Sequence, residues 1–553
     1  MRLRAGLLRQ VPRVTVLLLT LPVLAGLAGT LIPAANPAAL RALANWPGLE
    51  GAVRLSLVSG IASTLLALML SLGLVAALLE HRSFGRVQAL LSPLLSVPHA
   101  AAALGLAFLI APSGWIARML SPWATGWTTP PDLLILNDPM GLALIVGLTA
   151  KEMPFLLLMI LAALPQVDAN RRLTLAASLG YGRIAGFGLT VLPALYPLIR
   201  LPIYAVLAYA MTSVEMAMIL GPSLPPGLSV QITQWMTDPS LAHRGTAAAA
   251  ALLQLVLVIA TLALWHGAER LIRRALRRQA ARGRRAVPLD LLRRPLITLS
   301  VVLAAALFAG LAGLSLWSVA GLWPFPDLLP DWTLTTWTRV APDLLTTTGT
   351  TLTLALLSTG AALGLVLSSL EAEHRYRLSP GAGAMALLYL PLIMPQVAFL
   401  PGLQIAALRL GAMEGVLAVA SAHLIFVLPY VYLSLAAPYR AFDPRIALQA
   451  TALGAGPARI FWTLRLPMLL SAVLTAAAVG VAVSVGQYLP SLLIGGGRVE
   501  TLTTEAIALS SGGNRRIVGA YALLQMLLPA LGFALAIGLP RLVFRHRRGM
   551  LPA

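Results

Sequence analysis

Twelve stretches of mostly apolar residues dominate this chain of 553. Each is close to the roughly 20 residues a helix needs to cross the hydrocarbon core of a bilayer. They cover residues 14–32, 55–79, 89–116, 140–164, 198–220 and 246–267, then 296–319, 344–370, 384–408, 415–438, 468–494 and 517–539. Only 11% of the chain is charged and 58% is hydrophobic. Soluble domains carry about 25% charged residues, so this chain cannot cover itself with a polar surface, which excludes a water-soluble enzyme or a disordered chain. The 40 prolines and 46 glycines fit membrane helices, where neighbouring helices satisfy the freed backbone groups. The first stretch is long for a signal-peptide core and lacks a small-residue cleavage site, so it counts as a helix. The expected fold class is all-α integral membrane, with about 12 transmembrane helices.

The formal net charge is +21, and its distribution orients the chain. Arg2, Arg4, Arg9 and Arg13 precede the first stretch, and Arg541, Arg545, Arg547 and Arg548 follow the last. Between the halves lie Arg270, Arg273, Arg274, Arg277, Arg278, Arg282, Arg284, Arg285, Arg293 and Arg294. With six spans per half, all three clusters fall on one side, which the positive-inside rule makes cytoplasmic. This linker reads as a solvated or lipid-headgroup-facing helix. No aromatic interleaving accompanies its charge, so nucleic acid is not an expected partner. The expected segments are 1–52 (first helix and periplasmic loop), 53–267 (first membrane domain) and 268–295 (basic cytoplasmic linker). They continue with 296–343 (seventh helix and periplasmic loop), 344–540 (second membrane domain) and 541–553 (cytoplasmic tail).

Cysteine is absent, which removes disulfides, thiolate metal sites and cysteine nucleophiles. The sole lysine is Lys151, preceded by Ala150. A nucleotide-binding P-loop needs Gly-Lys-Ser/Thr so that the lysine reaches the phosphates from a glycine-rich turn. Any ATP used must therefore be bound by another polypeptide. No catalytic constellation, cofactor site or metal-ligand cluster stands out, and the chain is expected to be non-catalytic.

The two halves repeat. Leu72-Gly73-Leu74-Val75 recurs as Leu363-Gly364-Leu365-Val366, and Pro98-His99 with Gly105 recurs 297 residues on as Pro395-Gln396 with Gly402. Equal orientation of six-plus-six spans makes this a parallel duplication. After the fourth span of each half comes a cytoplasmic loop. The first reads Thr174-Leu-Ala176-Ala177-Ser-Leu-Gly180, then Leu192-Pro193; the second reads Leu448-Gln-Ala450-Thr-Ala-Leu-Gly454, then Leu466-Pro467. Glycine and proline are 13 residues apart in both. The run before each glycine favours a short helix, the glycine permits a turn at positive φ, and the proline suits a helix restart at the membrane. A short helix lying across the cytoplasmic face can dock into a groove of a partner.

This pair of loops resembles the coupling-loop signature of binding-protein-dependent ABC importer permeases, a Glu-Ala-Ala run, then Gly, then Leu-Pro. The chain is most similar to fused two-half permeases of the thiamine and ferric-iron type. The resemblance spans roughly residues 53–267 and 344–540, and includes Ser213-Val214-Glu215 with Leu220-Gly221 and Ser484-Val485-Gly486-Gln487 with Leu493-Ile494-Gly495. It departs at the leading Glu, which is Thr174 in one loop and Leu448 in the other. The resemblance implies a duplicated type I transmembrane domain in the bacterial inner membrane with both termini cytoplasmic. It implies two ATPase subunits docked on Ala176, Ala177, Gly180, Pro193, Ala450, Gly454 and Pro467. It also implies a periplasmic binding protein that delivers a small solute. The competing reading is a stand-alone 12-helix secondary transporter driven by an ion gradient. Its commonest family has an acidic, arginine- and glycine-rich loop after the second span; the loop here, Glu80-His-Arg-Ser-Phe-Gly-Arg86, has no Asp and fits that pattern poorly.

Polar groups inside a span cost about 2.5–3.5 kcal/mol when charged, so each is a candidate for function. Glu152, His99, Gln396 and His423 are such groups, and Glu215 and Gln487 are expected to meet at the repeat axis and line the pathway. Adjacent Lys151 and Glu152 do not share a helix face and are expected to find separate partners. Arg200, near a span end, is expected to snorkel.

Overall fold

Proline and glycine mark several, but not all, of the places where the apolar stretches break. The computed structural model describes residues 2–79, 81–82, 84–283, 285, 289–409, 411 and 415–545. Glu80, Ser83, Arg284, Arg547 and Arg548 lie outside the described residues. Among those described, ten helices are long and apolar enough to cross a membrane, or twelve when each of two bent pairs forms one span.

The first half contains α1 (Arg2–Ala34), α2 (Leu49–Leu78), α3 (His99–Ile110), α4 (Leu142–Ala163), α5 (Ala169–Ser178), α6 (Leu192–Thr212), α7 (Glu215–Leu220) and α8 (His243–Arg282). The second contains α9 (Arg293–Ser318), α10 (Thr335–Tyr376), α11 (Ala382–Ile393), α12 (Gln396–Arg409), α13 (Val416–Arg440), α14 (Pro444–Ala452), α15 (Leu470–Val485), α16 (Leu489–Gly495) and α17 (Arg515–Val543).

Four of the expected spans differ in detail. The third does not run from residue 89, because Pro98 caps α3 and separates it from short helical pieces at Phe84–Leu91 and Ser92–Leu95. The ninth is two helices, α11 and α12, meeting at 95° beside Pro395. The fifth begins earlier, at Arg183, and stops at Thr212, so Glu215 opens a separate short helix. The eleventh bends by 74° between Pro457–Met468 and α15, and a further break precedes α16. Hydropathy alone sees each stretch as continuous, because each break is only one to three residues long.

The halves interlock. Helix α1 packs against α12 and α10 of the second half, and α9 packs against α3 of the first. The repeated glycines mark both crossings. A Cβ on Gly105 would lie 2.9 Å from the carbonyl carbon of Gly310, and one on Gly402 would overlap the backbone of Gly26. Small residues at such points let two helix backbones touch. The repeat offset is 297 at the third span and 274 from Gly141/Gly415 onward, because the first half carries 23 more residues before its fourth helix. That extra segment holds the buried Arg118, whose guanidinium donates to the carbonyls of Trp323 (3.2 Å), Pro324 (2.8 Å) and Asp327 (2.7 Å). It ties the two halves together at the face opposite the loops that follow α4 and α13.

Candidate functional site: coupling loops and an intramembrane polar strip

The two loops are built alike from the backbone up. Gly180 and Gly454 stand at φ +82° and +81°, as the turn chemistry requires. Each ends its helix with the same pair of hydrogen bonds. In the first loop Tyr181 N–H reaches Ala176 O (3.1 Å) and Gly180 N–H reaches Ala177 O (2.9 Å). In the second, Ala455 N–H reaches Ala450 O and Gly454 N–H reaches Thr451 O, both at 2.9 Å. This is the Schellman arrangement that a left-handed glycine permits.

Beyond each glycine the chain makes one turn of α-helix and then one of π-helix, Arg183–Gly186 with Phe187–Val191, and Pro457–Ile460 with Phe461–Arg465. The elements match residue for residue at the 274 offset. Pro193 is the second residue of α6, which continues from the π turn, and Pro467 is the second residue of the short helix Leu466–Met468, just ahead of the 74° bend before α15; a residue with no N–H is tolerated in such a first turn.

Ala176 and Ala450 face inward, at 1% and 9% exposure, while Leu179 and Leu453 are 56% and 88% exposed. Ala177 is exposed as well. Each loop thus offers an apolar side chain to the outside just before its glycine. Where the family has Glu, Thr174 bonds back to Asn170 O at 3.0 Å and Leu448 is exposed.

Inside the membrane, three of the candidate residues come together and the others do not. His99 Nε2 lies 3.0 Å from Glu152 Oε1. The His99 ring packs on Tyr209 with centroids 4.5 Å apart, and the Tyr209 hydroxyl donates to Glu215 Oε1 at 2.8 Å. Helix breaks place this strip: His99 opens α3, Tyr209 lies in the last turn of α6 and Glu215 opens α7. The halves meet beside it through Tyr488, whose hydroxyl lies 3.5 Å from Met218 Sδ. Tyr488 adjoins Gln487, which sits in the break between α15 and α16, its carbonyl accepting from Ser491 Oγ at 2.9 Å. Gln396 opens α12 and is half-buried.

His423 is elsewhere. It is 1% exposed, with one ring nitrogen 2.8 Å from Ser484 Oγ and the other 2.9 Å from Ser491 Oγ, so it ties helices together. Lys151 and Glu152 do diverge, and the Lys151 ammonium donates to Leu94 O at 3.0 Å. Arg200 does not simply snorkel. Its Nε lies 3.3 Å from the buried Glu269, which also accepts from the Tyr196 hydroxyl at 2.9 Å.

Comparison with known proteins fixes the family. The chain is similar to the inner membrane ABC transporter permease protein YnjC of Escherichia coli strain K12, with 32% identity over 530 residues, 94% of this chain and 95% of the relative. The chain belongs to the ABC transporter permeases. A second relative is the spermidine/putrescine transport system permease protein PotC of Haemophilus influenzae, 25% identical over 170 residues, 30% of this permease and 66% of the relative. No family model matches the chain. It is a multi-pass inner membrane protein and the transmembrane permease subunit of an ABC importer.

Within the permease, the strip is one-sided. At the 274 offset Phe426 stands for Glu152, Val483 for Tyr209 and Leu489 for Glu215, and Gln396 stands for His99 at 297. Gln487 therefore corresponds to Ser213, not to Glu215. Sequence reading missed Tyr209, Tyr488 and Glu269. Tyr209 and Glu215 are six residues apart across a helix break, a spacing that no helical periodicity would pair.

Proposed function

We propose that this permease forms the whole transmembrane pathway of the importer and has no catalytic activity of its own. Two separate ATPase subunits bind ATP and dock on the two coupling loops, and a periplasmic binding protein delivers the solute. Both termini and the basic linker are cytoplasmic. Closure of the ATPases draws the loops together and moves the cavity between inward- and outward-open arrangements. The observation that carries this reading is the duplicated loop: the same left-handed glycine, exposed leucine and π turn, in register at the same offset in both halves. A loop needed only to join two helices has no reason to keep that geometry twice.

The solute passes the strip of Glu152, His99, Tyr209 and Glu215, with Gln396 and Gln487 opposite in the repeat. Two carboxylates, an imidazole and a phenol suit a small polar solute that donates hydrogen bonds. Co-expression with its ATPase subunit and mass measurement of the purified complex tests the assignment. Two ATPase copies per permease chain are expected. A chain that purifies alone and takes up solute on an ion gradient would overturn it in favour of a secondary transporter.

A further inference from the structure

The linker that fuses the halves comes back to bond the first coupling loop, and among the described residues no hydrogen bond joins it to the second. Asp290 lies on the 3₁₀ turn Leu289–Leu292, immediately ahead of α9. One carboxylate oxygen accepts from the backbone N–H of Arg183 at 3.1 Å and the other from Ile184 at 2.9 Å. These are the first amides of the helix Arg183–Thr212. The first turn of any helix leaves such donors without partners, and an anion there is favoured by the helix dipole. A Cβ on Gly182 would overlap the Asp290 carboxylate, so glycine is what admits the cap. From the other side the Arg183 side chain donates through Nε to Ala76 O at 2.9 Å. The first loop is thus clasped between α2 and the linker.

The second loop meets the same need from within its own half. Pro457 occupies the position of Arg183 at the 274 offset, and proline has no N–H to satisfy. Its carbonyl accepts from Arg375 at 3.2 Å. Arg375 and Glu371 pair at 2.5 Å, and Glu371 also binds the buried Arg465 and Tyr439. One loop is therefore held by a buried ion cluster of its own membrane domain, and the other by a carboxylate on the connecting segment.

We propose that Asp290 is a positioning residue that fixes the first coupling loop for docking, so that the linker is a working part of one ATPase site and the two sites are built differently. This rests on the reading of the loops as ATPase-docking sites. It also links the halves mechanically. Asp290 leads directly into α9, which packs between α3 of the first half and α17 of the second, so a shift between the halves is felt at the first loop.

The test uses the full chain and the absence of native cysteine, which makes Leu179→Cys and Leu453→Cys unique cross-linking sites. In complexes with the ATPase subunit, Asp290→Ala should lower cross-linking from position 179 by about threefold to tenfold, the range expected for loss of a helix cap. Cross-linking from position 453 should stay unchanged. Asp290→Asn keeps one acceptor oxygen and should fall between. An unchanged yield at 179, or an equal fall at both positions, would overturn the proposal. If neither position cross-links with Asp290 intact, the docking reading itself has failed. The cap is judged separately by amide exchange on the permease alone. Exchange at Arg183 and Ile184 should rise at least about tenfold in Asp290→Ala while residues 458–460 hold steady, and no rise would rule the cap out.

Discussion

Gly454 offers a clean perturbation of the coupling geometry. It stands at φ +81° with no atom of the described residues within 4 Å of where a Cβ would lie, so the cost of a substitution there is backbone strain. An L-residue in the left-handed region costs about 1–2 kcal/mol, and asparagine tolerates it far better. Gly454→Ala should therefore cost about 1 kcal/mol and Gly454→Val about 2, while Gly454→Asn should cost little. Since about 1.4 kcal/mol is tenfold in an equilibrium, the docking-competent loop should be depleted about fivefold by Ala and about thirtyfold by Val. Titrating the ATPase subunit against each purified variant reads this directly, with membrane insertion unaffected because the loop is outside the bilayer. Gly180, at φ +82° with Arg285 Cδ at 3.5 Å as its one near atom among the described residues, should follow the same series, and the double Val variant should bind worst. Val binding as tightly as glycine would refute the conformational account. Asn as weak as Val would show that any side chain blocks the surface, whatever its φ.

Gly402→Val drives a side chain into the backbone of Gly26 and Gly29 on α1. Overpacking of this kind costs about 1–3 kcal/mol or more, so the detergent-solubilised permease should lose several degrees of Tm, and an unchanged Tm would show that this crossing is looser than described. Tyr209→Phe removes the donor to Glu215 and leaves the ring on His99; uptake should fall at least about threefold, a loss of the size one hydrogen bond supplies, with normal complex assembly. Wild-type uptake in both Tyr209→Phe and Glu215→Ala would remove the strip from the pathway. Reporter fusions at residue 280 and at the C-terminus should give cytoplasmic signals, and a periplasmic signal at either would contradict the six-plus-six orientation.

Much of the fold was legible because a bilayer demands long apolar runs, and the repeat was legible because the chain keeps the same glycines and prolines at fixed offsets. Gly105 and Gly402 stood out as repeated residues, and the crossings of α9 with α3 and α1 with α12 give the physical reason. Gly180 and Gly454 could be assigned positive φ from their place after a helix-forming run. The helix breaks were not legible: Ser213-Val214 and Gly486-Gln487-Tyr488 are two and three residues long, too short to interrupt a span-length apolar run. Those breaks carry the polar strip, so Tyr209 and Tyr488 escaped notice and Gln487 was paired with Glu215 instead of Ser213. Asp290 escaped for a different reason. Its partners are backbone amides more than 100 residues away, a contact that no local pattern encodes.

The most direct test of the central claim is solute uptake by the permease in proteoliposomes, with and without its ATPase subunits and binding protein. Uptake should require ATP and both partners, ignore an imposed ion gradient, and vanish in the Gly180→Val/Gly454→Val variant. Gradient-driven uptake by the permease alone, or full ATP-driven uptake by the double variant, would contradict the account.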